Sequence, residues 1–249
     1  MRDLNEPPES SGEERLQKYL ARAGAAPSRR KAEALIEAGR VTIDGKAAQL
    51  GQRVPAGAEV RLDGVPVKPQ ATTTLLLLHK PAGFVTTAHD PQGRPTVFDL
   101  VPAHPGLHAV GRLDQDSEGL LLLTTDGDLT QRLTHPSFEH PKRYRAWCRG
   151  GELSRAACRQ LMDGIELVDG MARADTVEPK PGGCEIVLHE GRKRQVRRML
   201  DAMGSPVERL VRTHVASLSL GSLPEGAWRE ATAEERSRLG YDSLQTGAG

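Results

Sequence analysis

The apolar positions near the start of the chain recur with helical spacing. Leu16, Leu20 and Ala23 share one face of a predicted first helix. Ser28 is a favourable N-cap for a second helix, and Gly39 provides the C-terminal stop. The pattern therefore predicts two short helices, separated by a small-residue turn.

Strand periodicity follows directly. Val41–Ile43 alternates as a strand does, and Asp44-Gly45 is a strong hairpin-turn signal. A further strand is predicted over residues 59–62, ending at the Asp63-Gly64 turn. Residues 13–71 are therefore predicted to form a small α+β module.

The rest of the chain, residues 72–239, alternates short apolar runs with turn signals. A linker from Thr72 leads into a buried strand over residues 75–78, and Asp126-Gly127 reads as a turn after a strand over residues 120–125. Gly182-Gly183 marks another hairpin. Two helices are predicted, over residues 154–162 and about 193–204. This pattern favours an α+β fold built on a mostly antiparallel mixed sheet.

Composition narrows the class of protein. Residues 1–12 are rich in Pro, Glu and Ser and are predicted to be a disordered tail, and residues 240–249 a flexible one. The longest apolar runs are too short to cross a bilayer. Cys148, Cys158 and Cys184 share no ligand or disulfide spacing, which is typical of reduced thiols in a cytoplasmic protein.

Charge is nearly balanced in total but not along the chain. The net charge is +1, from 34 basic and 33 acidic residues. Residues 12–53 hold nine Lys and Arg against five Asp and Glu, and residues 189–214 hold seven against three. Two basic regions on a neutral chain indicate local surfaces for phosphate, although solvated helix faces have the same composition.

A polar loop between two apolar strands carries the candidate chemistry. Asp114, Asp116, Glu118 and Gly119 imitate the opening of a calcium loop, but the twelfth position is Thr125 instead of Glu. The later loop positions are also an apolar strand, so the sequence does not support a calcium site. From the residues alone, these acids are either catalytic or solvated surface groups.

Two sets of motifs resemble known families. LQKYL at 16–20, SRRKA at 28–32 and AGRVTIDGK at 38–46 resemble an S4 RNA-binding domain. GRLD at 111–114 and SEGLLLLTTDG at 117–127 resemble the catalytic motif of the RsuA/RluB family of pseudouridine synthases. KPAG at 80–83 precedes this motif in the family's order, and RLTHP at 132–136, KRYRA at 142–146 and EGRKRQVRRM at 190–199 follow it.

The resemblance implies a role for each matching residue. Asp114 corresponds to the nucleophile, which attacks the sugar C1′ or the base C6 or promotes elimination from the sugar. Arg197 corresponds to its basic partner, which keeps the carboxylate ionised, and Tyr144 to an active-site ring that stacks on the extruded pyrimidine. From the residues alone, the alternative role for Arg197 is a surface phosphate contact, and the alternative for Tyr144 is a core position on a strand. The residues expected to contact RNA are Arg29, Arg30, Lys31, Arg40, Lys46, Arg112, Arg192, Lys193, Arg194 and Arg198.

The expected function is isomerisation of a uridine in structured ribosomal RNA, with no metal, nucleotide cofactor or membrane, by a monomer. The four-leucine run at 120–123 and the segment at 91–100 favour the large-subunit branch of the family, and a small-subunit enzyme is the alternative. A non-catalytic S4-type ribosome-assembly protein is a second alternative. A third is a magnesium-dependent nuclease using Asp114, Asp116, Asp126 and Asp128.

Overall fold

The computed structural model describes residues 13–68 and 73–240. The predicted tail at 1–12, all but the first residue of the predicted tail at 240–249, and part of the predicted linker lie outside these residues. The described residues divide into two compact units. The first contains the residues up to Thr73 together with Ala103–Leu107, and the second contains Thr74–Pro102 and the residues from His108 onward.

The first unit has two helices and two small sheets. Its elements are β1 (Glu14–Arg15), α1 (Leu16–Arg22), α2 (Arg29–Glu37), β2 (Val41–Ile43), β3 (Lys46–Ala47), β4 (Arg53–Val54), β5 (Val60–Leu62) and β6 (Val65–Val67). Within the described residues, β3-β2-β5-β6 form one antiparallel sheet and β1 pairs with β4. Ser28 caps α2 by accepting the Lys31 amide, and Asp44-Gly45 turns β2 into β3, so both predictions are confirmed.

The second unit is built on one large sheet. Its elements are β7 (Leu75–Lys80), β8 (His108–Val110), β9 (Glu118–Thr124), α3 (Gly127–Thr134), β10 (Lys142–Cys148), α4 (Arg155–Asp163), β11 (Ile165–Leu167), β12 (Gly170–Ala172), β13 (Thr176–Lys180), β14 (Gly183–Leu188), α5 (Gln195–Ala202), β15 (Val207–Val215), β16 (Leu218–Ser219), β17 (Trp228–Glu230) and α6 (Ala233–Arg238). Of the described strands, nine join in this sheet. Seven follow the order β13-β14-β10-β15-β9-β7-β17, and in addition β8 pairs with β9 and β16 pairs with β15. The mostly antiparallel mixed sheet is confirmed.

One prediction in this unit was wrong. Asp126-Gly127 was expected to form a turn after the strand, but Asp126 is instead the N-cap of α3, accepting the amides of Asp128 and Leu129. Leu129 and Leu133 bury one side of α3. Helix α6 was also not predicted, because no residue in it is buried and it therefore lacks an apolar stripe.

A parallel pairing within this antiparallel sheet positions the candidate site. Strands β9 and β15 pair through Glu118–Val211 and Gly119–Arg212. A Cβ at Gly119 would lie 2.3 Å from the Arg212 carbonyl oxygen, and its φ is +108°. Glycine is therefore required where β9 begins, immediately after the polar loop that contains Asp114.

Candidate active site

Every backbone carbonyl of the loop at residues 112–117 accepts a hydrogen bond. Arg112 O accepts from Arg212 Nη1 at 3.4 Å, Leu113 O from Thr86 Oγ1 at 2.8 Å, Asp114 O from Ser117 N at 3.1 Å, Gln115 O from Gly83 N at 2.8 Å, Asp116 O from Arg197 Nη2 at 2.7 Å, and Ser117 O from Lys80 Nζ at 2.7 Å. Three of these donors belong to cationic side chains. The loop backbone is therefore fixed, and positive charge surrounds it.

Lys80 lies at the end of β7 and has no solvent-exposed surface. Its ammonium donates to the carbonyls of Pro81, Gln115 and Ser117, at 3.0, 3.4 and 2.7 Å. Burial lowers its pKa to about 8, against the opposing charges of Asp116 and Asp114. At neutral pH the side chain is therefore a buried cation whose three N–H donors are all used.

The predicted ion pair between Arg197 and Asp114 is not present in the structure. Arg197, on α5, has its Nε 3.4 Å from Asp116 Oδ2, and its other nitrogens donate to the carbonyls of Asp116 and Val207. Arg194 binds both oxygens of the same Asp116 carboxylate, each at 2.8 Å. These bonds hold the pKa of Asp116 below its usual range. Asp116 therefore takes Arg197, the counter-charge that the sequence assigned to Asp114, together with Arg194.

The environment of Asp114 differs from that of Asp116. Its side chain is half-buried and makes no hydrogen bond to any other described residue. The Asp114 charge nevertheless raises the pKa of Lys80 and of Arg197, which burial lowers. It also raises the pKa of Arg194. The structure thus surrounds Asp114 with cations but leaves its carboxylate oxygens free within the described part of the chain.

Strand register places Tyr144 at the same end of the sheet as this loop. Tyr144 on β10 lies opposite Arg212 on β15, and Arg212 lies opposite Gly119 on β9. The Tyr144 and Gly119 Cα atoms are therefore two strand spacings apart, roughly 10 Å. The ring is half-buried and packs beside the apolar cluster under α4 and α5. The structure therefore brings Asp114, Tyr144 and Arg197 to one region.

The basic residues expected to contact RNA fall into two groups. Several are held by ion pairs: Arg40 with Asp63, Arg192 with Glu190, Arg194 with Asp116, and Arg198 with Asp169. Others are exposed: Arg29, Arg30, Lys31, Lys46, Arg112 and Lys193. Arg192 and Arg198 tie the segment around α5 to the β11–β12 hairpin through Asp169. Phosphate binding by any of the four paired arginines requires exchange of a carboxylate partner.

Sequence reasoning missed three residues that shape the site. Lys80 belongs to a recognised motif but received no role, although a lysine at the end of a buried leucine strand is an informative signal. Thr86 binds both the amide and the carbonyl of Leu113, at 3.3 and 2.8 Å. Arg212 is buried and donates to the Leu120 carbonyl at 2.8 Å. No local sequence pattern predicts this contact.

The described residues offer neither a metal-binding cluster nor a membrane-spanning helix. Within residues 13–68 and 73–240, no cluster of three or more His, Cys, Asp or Glu side chains is arranged to hold a metal ion. Over the same residues, no helix combines the length and apolar character needed to cross a membrane.

Comparison with known domain families defines the class of each unit. Residues 14–60 match the S4 domain, and residues 74–202 match the RNA pseudouridylate synthase family. The second match covers more than half of the chain and includes Asp114, Tyr144 and Arg197. The loop just described therefore lies in the part of the chain that carries the synthase fold.

Individual relatives agree with this assignment. The chain is 46% identical over 240 residues to an uncharacterized RNA pseudouridine synthase of Mycobacterium leprae, covering 92% of this chain and 93% of the relative. It is 44% identical to ribosomal large subunit pseudouridine synthase B of Escherichia coli K12, covering 87% and 79%. A crystal structure of a pseudouridylate synthase superposes with a TM-score of 0.65 at 28% identity, covering 90% of this chain and 99% of that one. The chain belongs to the RNA pseudouridylate synthase family.

Proposed function

We propose that this chain converts a specific uridine of large-subunit ribosomal RNA into pseudouridine, with Asp114 as the nucleophile. Relatives 43–46% identical over most of the chain include several named ribosomal large subunit pseudouridine synthase B, which supports the choice of substrate. In this isomerisation the C1′–N1 bond breaks, a C1′–C5 bond forms, the C5 proton leaves to solvent, and N1 takes up a proton from solvent. The reaction is internal to the nucleotide and consumes no second substrate.

The observation that carries the proposal is the state of Asp114. Its carboxylate has no hydrogen-bond partner among the described residues, while Lys80, Arg194 and Arg197 act on it through space. Nearby cations favour the ionised form of a carboxylate even when substrate covers it. A carboxylate without a hydrogen-bond partner, held on a rigid loop, is what nucleophilic attack on an extruded nucleotide requires.

Neighbouring residues have supporting roles in the proposal. Tyr144 provides a ring on which the extruded pyrimidine stacks and a hydroxyl for proton transfer. Arg197 and Arg194 hold Asp116, which fixes the loop and keeps their charges near Asp114. Lys80 fixes the other side of the loop through two carbonyls. Asp114 is therefore positioned by groups that need not touch the substrate.

RNA docking is assigned to both units. We place an S4 domain at residues 13–71 and the synthase domain at residues 72–239, with a monomer in the cytoplasm as the acting form. The exposed basic residues of the first unit, beginning with the Arg29-Arg30-Lys31 run, are available to phosphates. Arg112, exposed two residues before Asp114, is available to the phosphate of the extruded nucleotide or to the gap that it leaves in the RNA.

Mapping of pseudouridines across both ribosomal RNAs tests the substrate. A strain lacking this protein should lose pseudouridine at a single large-subunit position, and the wild-type gene should restore it, whereas the Asp114→Asn gene should not. Loss at a small-subunit position instead would contradict the substrate branch. An unchanged pseudouridine map would leave the non-catalytic RNA-binding alternative.

A further inference from the structure

A second concave site lies in the synthase unit, beside α3 and α6. Its volume is about 540 Å³, which is within the range of small-ligand sites. Leu129, Leu133, Pro141 and Leu239 supply an apolar floor. The polar residues that line it are Arg132, His140, Ser217 and Arg238. It therefore combines an apolar surface with a positively charged rim.

Arg132 gives the pocket an unsatisfied cation. Its Nε and Nη2 atoms are shielded from solvent, yet neither has a hydrogen-bond partner in the described chain. No carboxylate in residues 13–68 or 73–240 forms an ion pair with it, whereas Arg238 on the opposite side is paired with Glu234. Buried donors without acceptors are uncommon because each loses its hydrogen bonds to water. Arg132 is therefore prepared for an anionic ligand.

Aromatic rings border the same space. The Phe138 side chain is 51% exposed, and its ring lies nearly parallel to that of His140, with centroids 6.3 Å apart and an angle of 16°. His135 meets Phe138 edge-on at 6.2 Å. Burial and the nearby charges of Lys142 and Arg132 lower the pKa of His140, so its imidazole is neutral at neutral pH. A half-exposed ring beside a cation is the combination that binds single-stranded nucleic acid.

Positive charge connects this pocket with the proposed active site. Lys142, at the start of β10, donates to the His140 carbonyl at 3.2 Å, and its pKa is lowered first by burial and then by the charge of Arg212. Arg212 in turn lies opposite Tyr144 in the sheet. Pro141, on the pocket floor, lies just before β10 begins and three residues from Tyr144, so their Cα atoms are roughly 10 Å apart. Tyr144 packs on the opposite face of the sheet from Leu129 and Leu133, so an RNA strand that reaches both sites passes around the end of β10.

We propose that this pocket binds a nucleotide of the RNA strand that flanks the target uridine, with the phosphate on Arg132 and the base stacked on Phe138. The inference rests on the proposed function for the identity of the RNA, but not for the binding itself. It also gives a role to the RLTHP motif at 132–136, where the hydrogen bonds of the Thr134 and His135 side chains stay within their own segment and do not reach the loop around Asp114. The pocket would hold the strand on one side while Asp114 acts on the extruded base.

Binding of fluorescein-labelled hexauridylate to the full chain, followed by fluorescence anisotropy over a salt series, tests the pocket directly. Arg132→Gln should weaken binding by about fivefold to tenfold and reduce the salt slope by about 0.7, the share of one phosphate contact on a single strand. Phe138→Ala should weaken binding at least fivefold, roughly the contribution of one stacked base, and Phe138→Tyr should restore it. Arg159→Gln, an exposed arginine on α4, is the matched control and should leave binding unchanged.

Wild-type affinity and salt slope for both Arg132→Gln and Phe138→Ala, with folding verified by circular dichroism, would overturn the proposal. A chain ending at Gly240 should bind hexauridylate unchanged. If that truncation lowers the free energy of unfolding while the two pocket variants bind normally, the pocket holds the chain's own C-terminal residues and the proposal fails. Pseudouridine mapping is a separate readout, so loss of hexauridylate binding and loss of the proposed activity are distinguished.

Discussion

Replacing Lys80 with methionine separates the stability of the fold from the positioning of the catalytic loop. The pKa of Lys80 falls from 10.5 to about 8, and each pKa unit corresponds to about 1.4 kcal/mol, so keeping this lysine charged in the native state costs about 3 kcal/mol. Methionine removes that cost but also removes three hydrogen bonds, each contributing about 1 kcal/mol. At pH 7 we therefore expect Lys80→Met to have nearly the wild-type free energy of unfolding.

The difference between the two proteins should change with pH. Between pH 8 and 10.5 the native lysine is neutral while the unfolded one is still protonated, so the unfolded state binds more protons. The Lys80 contribution to the wild-type free energy of unfolding therefore rises by about 3 kcal/mol over that window, whereas methionine contributes no such rise. Relative to wild type, Lys80→Met should become less stable by that amount at pH 10.5.

The turnover of Lys80→Met should be lower than that of wild type at every pH. Without Lys80 the carbonyl of Ser117 loses its donor, and a loop displaced by about 1 Å reduces turnover by roughly 100-fold. Urea unfolding at pH 7 to 10.5 and tritium release from rRNA containing 5-tritiated uridine measure the two effects, with Lys68→Met, an exposed lysine, as the control. A stability difference that does not vary with pH, or wild-type turnover in Lys80→Met, would refute the reasoning.

The remaining predictions concern the other supports of the loop. Arg197→Met should lower single-turnover rates far more than RNA affinity, and Arg197→Lys should not restore them, because lysine cannot reach Asp116 and Val207 together; a defect in affinity alone would make Arg197 a phosphate contact. Thr86→Val should lower turnover by about tenfold by releasing Leu113, while Thr86→Ser should keep it, and equal rates for both would contradict the role of the hydroxyl. Deleting residues 1–70 should weaken rRNA binding and flatten its salt dependence in filter binding, and an unchanged slope would mean that the S4 domain does not contact RNA.

Much of the fold followed from local pattern. Helix α2 formed because Ser28 caps it, and β7 and β9 are the two leucine runs whose side chains are fully buried. The parallel pairing of β9 with β15 could not be predicted, because register between strands about ninety residues apart depends on tertiary packing. Asp126 shows the ambiguity of local signals, since the same residue type favours both turns and helix N-caps.

The candidate site was predictable in part. Motif resemblance singled out Asp114, Tyr144 and Arg197 as candidates, but it paired Arg197 with Asp114, whereas the structure pairs it with Asp116. Asp114 and Asp116 are two residues apart, and only the folded loop shows that Arg194 and Arg197 converge on Asp116. The contributions of Lys80 and Arg212 arise from burial next to backbone carbonyls, which sequence spacing does not encode.

The measurement that tests the central claim most directly is tritium release by Asp114→Asn. The substitution preserves size and removes the negative charge, so the loop and its hydrogen-bonded carbonyls should be retained. With rRNA that contains 5-tritiated uridine, the wild-type chain should release tritium and form pseudouridine, and Asp114→Asn should release none while binding the same RNA with similar affinity. Release by Asp114→Asn at a rate comparable to wild type would show that Asp114 is not the nucleophile.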